Sequence, residues 1–154
     1  IIILGILSTN LYSQEDSEEH HHHKHHKYEI GVGNTLVYFP QEKEIAYGLH
    51  LHLLRSIEHT KFGYGIAYER VFDEHKHNTI GLVGSYSPFG GLHISLSPGL
   101  TFEDHDTSEF RFAFHAETSY GFSIGNMHLG PMIEFAVDQE HYHVSLGLHM
   151  GYGF

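Results

Sequence analysis

From Tyr28 to Phe154, apolar and polar residues alternate along the chain with a period of two. That is the period of a β-strand whose two faces meet different surroundings. Eight strands are predicted, over 28–38, 45–55, 61–72, 79–87, 91–102, 109–121, 126–137 and 141–154. At these lengths a tilted strand crosses a hydrocarbon layer. The connections alternate as well. The turns PFGG (88–91), SIGN (123–126) and SIEHT (56–60) are short. Between them fall FPQEKE (39–44), DEHKHN (73–78), EDHDTSE (103–109) and DQEH (138–141), mostly longer and strongly charged. In an antiparallel meander this puts turns at one end and charged loops at the other. The expected fold is all-β, an eight-stranded antiparallel up-and-down barrel.

Sorting the strands by parity gives two sets. One holds bulky residues such as Ile45, Tyr47, Leu49, Leu51 and Leu53, or Tyr142, Val144, Leu146, Leu148, Met150, Tyr152 and Phe154. The other holds Gly, Ser and Ala with His50, His52, Glu69, His93, Arg111, His115, Glu117, His128, Glu134, His143 and His149. The fourth strand is the weakest, because Val83 and Gly84 break its alternation. An eight-stranded barrel has an interior that side chains just fill. The Gly- and Ser-rich set suits that interior, and the bulky set suits lipid. Aromatics near strand ends, at Tyr28, Tyr38, Phe62, Phe102, Phe110 and Tyr152, suit interfacial girdles. A soluble lipocalin-like carrier barrel, with the apolar set turned inward, is the alternative.

The terminal Phe154, with Tyr152 and Met150 on the same face, resembles the C-terminal signature of bacterial outer-membrane proteins. From Tyr28 to Phe154 the chain resembles a small eight-stranded outer-membrane β-barrel of the general type, and LYSQ (11–14) resembles the signal ends of Bacteroidota envelope proteins. The resemblance implies contact with outer-membrane lipid, recognition of Phe154 by the barrel-assembly machinery, and a monomer.

Ahead of the barrel, 28–154, two further segments are expected. Residues 1–14, IIILGILSTNLYSQ, read as the apolar and cleavage regions of a secretory signal peptide truncated at its start, with Ser13 the last residue before cleavage. Residues 15–27, EDSEEHHHHKHHK, cannot bury a core and are expected to be a disordered acidic and His-rich tract, on the periplasmic side with both termini. The chain has no cysteine, which excludes disulfides, thiolate metal sites and Cys nucleophiles. Its formal net charge of -11 argues against nucleic acid as a partner.

The 18 histidines are the remaining chemistry. Those of the tract, His20, His21, His22, His23, His25 and His26, offer weak, unselective sites for Zn, Ni or Cu. His75, His77 and His105 sit among loop carboxylates as further donors. Seven more, His50, His52, His93, His115, His128, His143 and His149, have inward parity. Hairpin pairing brings Gly130 opposite His149, Glu134 opposite Ser145, and His50 and His52 beside Gly33 and Gly31. A lower cluster of Glu29, His52, His128 and His149 follows, as a candidate metal site. An upper cluster of Glu69, Arg111, Glu134 and His143 is expected as a salt-bridge plug. Hydrogen-bonded lumen filler is the other role open to these residues.

No cofactor is required by any motif, and no phosphate loop, zinc-protease motif or EF-hand occurs. The chain is expected to be non-enzymatic. One catalytic alternative is His143 with Ser145, oriented by Glu134, which is similar to the His-x-Ser element of lipid A deacylases, outer-membrane hydrolases with a Ser nucleophile and His base. The Leu-Gly that follows Ser145 departs from that family's pattern.

Overall fold

A computed structural model describes residues 26–74, 76–104 and 109–154. Residues 1–14, read above as a signal segment, the tract as far as His25, and the loop residues His75 and His105 lie outside the described residues. The strands are β1 Tyr28–Phe39, β2 Glu44–Ser56, β3 Phe62–Val71, β4 His77–Tyr86, β5 Leu92–Glu103, β6 Arg111–Tyr120, β7 Phe122–Ile124, β8 Met127–Val137 and β9 Tyr142–Gly153. β6 and β7 both pair with β8, and β1 pairs with β2 on one edge and β9 on the other, so the antiparallel sheet closes.

β6 and β7 are two stretches of one stave, so the barrel has eight. The predicted strand 109–121 is divided for a local reason. The register that pairs Ser119 with Met132 and Phe122 with Leu129 would set Tyr120 against Pro131. Proline has no N–H to give to that ladder. Beside it, Gly130 packs so close to the Tyr120 carbonyl that any Cβ would collide. Pro98 similarly interrupts the β4–β5 ladder, which is paired at Gly81–Gly99 and again at Gly84–Leu96 but not between. The irregular β4 nevertheless keeps its parity: Val83 turns inward at 6% exposure and Gly84 outward.

The apolar set faces out. Leu36, Ile45, Leu82, Leu146 and Leu148 are 57–68% exposed. This overturns the soluble carrier alternative, which requires those side chains inside; the interior here is polar and crowded, and the exterior is apolar. Along β9 the wall runs from Tyr142 to Tyr152. Ten residue steps tilted as in small barrels span about 25 Å, the height of a lipid-facing band. Aromatics border it at both rims: Tyr28 stacks on Phe154 and Phe62 on Tyr86 at one, Tyr47 meets Phe72 and Phe102 meets Phe110 at the other. Among the polar side chains on the wall are Thr118 and Asn34, and the Tyr47 hydroxyl donates to Asn34 Oδ1.

The two ends differ as the sequence implies. Tyr28 and Phe154 exchange backbone hydrogen bonds of 2.9 and 3.0 Å, so the start of β1 and the end of β9 meet at the rim that carries the turns 57–61, 87–91 and 125–126. The connections that follow β1, β3, β5 and β8 leave from the opposite rim, where the described residues 40–43, 72–74, 76, 104, 109–110 and 138–141 lie.

Candidate functional site

The interior is a column of titratable side chains in three tiers, each supplied by several strands. Alternation alone aims them inward: every inward position is one residue from a lipid-facing one.

The terminal tier, nearest the start of β1 and the end of β9, contains Glu29, His52, His93, His128 and His149. Glu29 Oε1 lies 3.3 Å from His52 Nε2 and 3.7 Å from His128 Nε2. The rings of His52 and His149 stack at 4.9 Å, those of His128 and His149 approach to 5.2 Å, and His93 stacks on His128 at 5.3 Å. Ser87 Oγ is 3.0 Å from His93 Nδ1. The expected lower cluster of Glu29, His52, His128 and His149 is therefore brought together, through pairings that place Gly31 opposite His52 and Gly130 opposite His149.

The middle tier is anchored by Glu134, 1% exposed. Its carboxylate lies 3.5 Å from His50 Nδ1 and 3.3 Å from His115 Nδ1. Glu69 is 3.2 Å from His115 and 3.9 Å from His143, and Glu117 is 3.8 Å from His50. Three carboxylates thus alternate with three imidazoles across the bore. The expected upper cluster is right for Glu69, Glu134 and His143, but it omits His50, His115 and Glu117. It also places Arg111 wrongly. Arg111 opens β6 at the loop rim, where it bonds Glu140, Glu103 (2.9 Å) and Asp138 (3.9 Å). Imidazoles, not Arg111, face the middle carboxylates.

The loop-end tier completes the column. His77, expected among the loops, is the first residue of β4 and is 9% exposed. Its Nδ1 donates to Asp73 Oδ2 at 2.5 Å and its backbone N–H donates to Asp73 Oδ1 at 3.1 Å. Burial alone would raise the Asp73 carboxyl, but the His77 bonds outweigh it and hold Asp73 below the usual carboxylate range. His141 Nε2 lies 3.2 Å from Glu42. On the outer side of this rim, the Asn78 amide and the Arg70 guanidinium hold Asp104 below its ordinary range. Val37, Phe39, Ala46 and Val71 pack inside as a small apolar plug, with Phe39 against His77 and His143.

The catalytic alternative meets a closed site. Ser145 is 0% exposed and faces the lumen from β9, and His143 points the same way. His143 Nε2 is 3.9 Å from both Glu69 and Glu134, inside the middle tier. No lipid acyl chain reaches Ser145 from the wall in this arrangement. Of the tract only His26 and Lys27 are described; the His26 side chain lies against Gly153 at the rim where β1 begins and β9 ends.

An apolar wall, two aromatic rims and a polar interior filled by side chains define a transmembrane type of β-barrel, of the smallest closed size. Solved structures of that type superpose on it. Neisserial surface protein A matches with a TM-score of 0.58 at 11% identity, covering 82% of this chain and 96% of that one. Ail, the attachment invasion locus protein of Yersinia pestis, matches with a TM-score of 0.55 at 13% identity, with 82% and 96% covered. The N-terminal barrel domain of Pseudomonas aeruginosa OprF gives 0.52 at 16% identity over the same shares, 82% and 96%. The chain thus has the fold of the small eight-stranded outer-membrane barrels. No family model and no curated protein matches its sequence.

Proposed function

We propose that the protein is an integral outer-membrane barrel that performs no catalysis and binds divalent transition metals. The tract 15–27 faces the periplasm and the charged loops face outward. The observation that carries this is the inverted distribution of polarity: bulky apolar side chains on the outside, and histidines paired with carboxylates on the inside. Such a surface is stable against hydrocarbon and not against water.

Three tiers of side chains across so narrow a bore leave no open pore. The protein works as a wall with termini and loops, not as a channel. Phe154, exposed on the outer face at the end of β9, is the group offered to the barrel-assembly machinery. The six tract imidazoles, together with Glu15, Asp16, Glu18 and Glu19, take up Zn, Ni or Cu weakly and with little selectivity. Lipid A hydrolysis is disfavoured by the enclosure of Ser145. Among the described residues the closed sheet leaves only the three-residue β7 paired on one side, too short an edge for a second copy, which supports a monomer.

Two measurements test this reading. The chain folded in detergent is expected to change its gel mobility on boiling, and in planar lipid bilayers it is expected to give no steady ion current. Full solubility without detergent and no mobility change would refute the membrane barrel. A stable, long-lived conductance would refute the closed interior.

A further inference from the structure

Four adjacent strands contribute one continuous row at the end of the barrel where β1 begins and β9 ends. His52 on β2 faces Gly31 on β1, Gly31 faces Gly151 on β9, and Gly151 faces His128 on β8. Two histidines therefore flank a gap two glycines wide. Their rings fold over the gap toward each other. A Cβ on Gly31 would strike Nε2 of both His52 and His149, and one on Gly151 would strike the ring of His128. The glycines are what allow three imidazoles to occupy one level of the bore. Glu29, on β1 two residues before Gly31, closes the group from the rim.

The polar atoms of this tier are not used up by one another. One carboxylate can balance only one imidazolium, so the tier holds nitrogen lone pairs in excess. His149 Nε2 is buried with neither a hydrogen-bond nor an ion-pair partner among the described residues, and His128 Nε2 makes no hydrogen bond. The middle tier also has buried atoms without a hydrogen bond and two groups of three close ligand atoms, but there three carboxylates stand within ion-pair distance of three rings, and ion pairing accounts for the arrangement. In the terminal tier one ligand atom from each of Glu29, His128 and His149 lies within 4.8 Å of the others. Donors held ~2.1 Å from a tetrahedral ion stand about 3.4 Å apart. The separations of Glu29 Oε1 from His52 Nε2 and His128 Nε2, 3.3 and 3.7 Å, already have that value to within a few tenths. His149 is already grouped with Glu29 and His128; His52 touches Glu29 but stands outside that group, and drawing its Nε2 to ligand spacing from all three requires a side-chain rotation.

We propose that Glu29, His52, His128 and His149 form a defined four-coordinate site for one divalent transition-metal ion, separate from the weak sites of the tract. The inference rests on the reading of the chain as a metal-binding membrane barrel. Three imidazoles and one carboxylate are a donor set for zinc and for the cobalt(II) that replaces it. The site lies at the rim that the tract enters, with His26 against Gly153. The tract can thus concentrate ions beside a selective site.

The test uses the full chain folded in detergent, with the tract histidines replaced by glutamine (His20→Gln, His21→Gln, His22→Gln, His23→Gln, His25→Gln, His26→Gln). Cobalt(II) is titrated while visible absorption is followed, and gel mobility with and without boiling is recorded for every variant. The expected result is one cobalt(II) per chain with the intense absorption of a four-coordinate ion, displaced by zinc. Adding His149→Gln or Glu29→Gln is expected to weaken the affinity at least tenfold and to diminish that absorption. Glu29→Gln, at the rim, keeps the test decisive if His149→Gln does not fold. A tract-substituted chain that keeps its mobility shift but shows no four-coordinate cobalt spectrum would overturn the site and leave the barrel standing. So would a spectrum unchanged by His149→Gln and Glu29→Gln. An unsubstituted chain with no mobility shift would remove the barrel reading and the site with it.

Discussion

Glu134→Ala is expected to destabilise the folded barrel by about 3–5 kcal/mol, the cost of removing one partner from a buried ion pair. Glu134 is 1% exposed and stands between His50 and His115, at 3.5 and 3.3 Å. Removing its carboxylate leaves two buried imidazoles short of a counter-charge and opens a void in a bore that has no slack. Glu69 remains beside His115 and Glu117 beside His50, which is why collapse is not expected to be complete. Glu134→Gln is expected to cost less, since it keeps the volume and can still hydrogen-bond. Glu58→Ala is the control: Glu58 pairs with Lys27 at 3.9 Å on the exposed rim, where such a pair contributes less than about 1 kcal/mol. Guanidinium unfolding followed by circular dichroism measures all three, because the chain has no tryptophan to report by fluorescence. A Glu134→Ala barrel within about 0.5 kcal/mol of the parent, the range of an ordinary surface substitution, would show that water, not the tiers, fills the lumen.

Leu148→Arg is expected to cost about 2–4 kcal/mol, the penalty for a cation on the lipid face near the middle of the bilayer. Leu148 lies midway along β9, paired with Asn34 on one side and Pro131 on the other, and is 57% exposed. The same change at Tyr152, at the rim, is expected to cost about 0–1 kcal/mol. Depth dependence is the diagnostic feature. On a water-exposed wall both substitutions would be near neutral. Unfolding from lipid vesicles measures the pair, and equal small effects at the two positions would argue against a lipid-facing wall.

Most of the barrel was legible because its rules are local. Parity set which residues face in, and the alternation of short turns with charged loops set which rim each loop occupies. Hairpin registers followed from turn positions, so the pairings His50–Gly33, His52–Gly31, His149–Gly130 and Ser145–Glu134 were readable. With them came the cluster of Glu29, His52, His128 and His149. What could not be read were contacts across the bore. His50 on β2 meets Glu117 on β6 and Glu134 on β8 only because the sheet closes with a particular stagger, which no single hairpin specifies. Arg111 was misplaced for a related reason. Parity sends it inward, but its position at the start of β6 puts its guanidinium among carboxylates from β5 and the 138–141 loop. The pairing of Asp73 with His77 was hidden in what read as a charged loop; the four-residue spacing across the turn was the available signal. The break between β6 and β7 was marked in the sequence by Pro131, but on the neighbouring strand, where it shows only once the register is known.

Spin labels on the outer face of β9 test the orientation of the wall most directly. The chain has no cysteine, so single substitutions Leu146→Cys, Leu148→Cys and Met150→Cys can each carry a nitroxide label without removing any native thiol. In lipid vesicles, collision rates with dissolved oxygen and with chromium oxalate separate hydrocarbon from water. High accessibility to oxygen and near-exclusion of chromium oxalate at all three positions is the predicted result. Free collision with chromium oxalate at these positions, or burial from both reagents, would contradict the barrel described here.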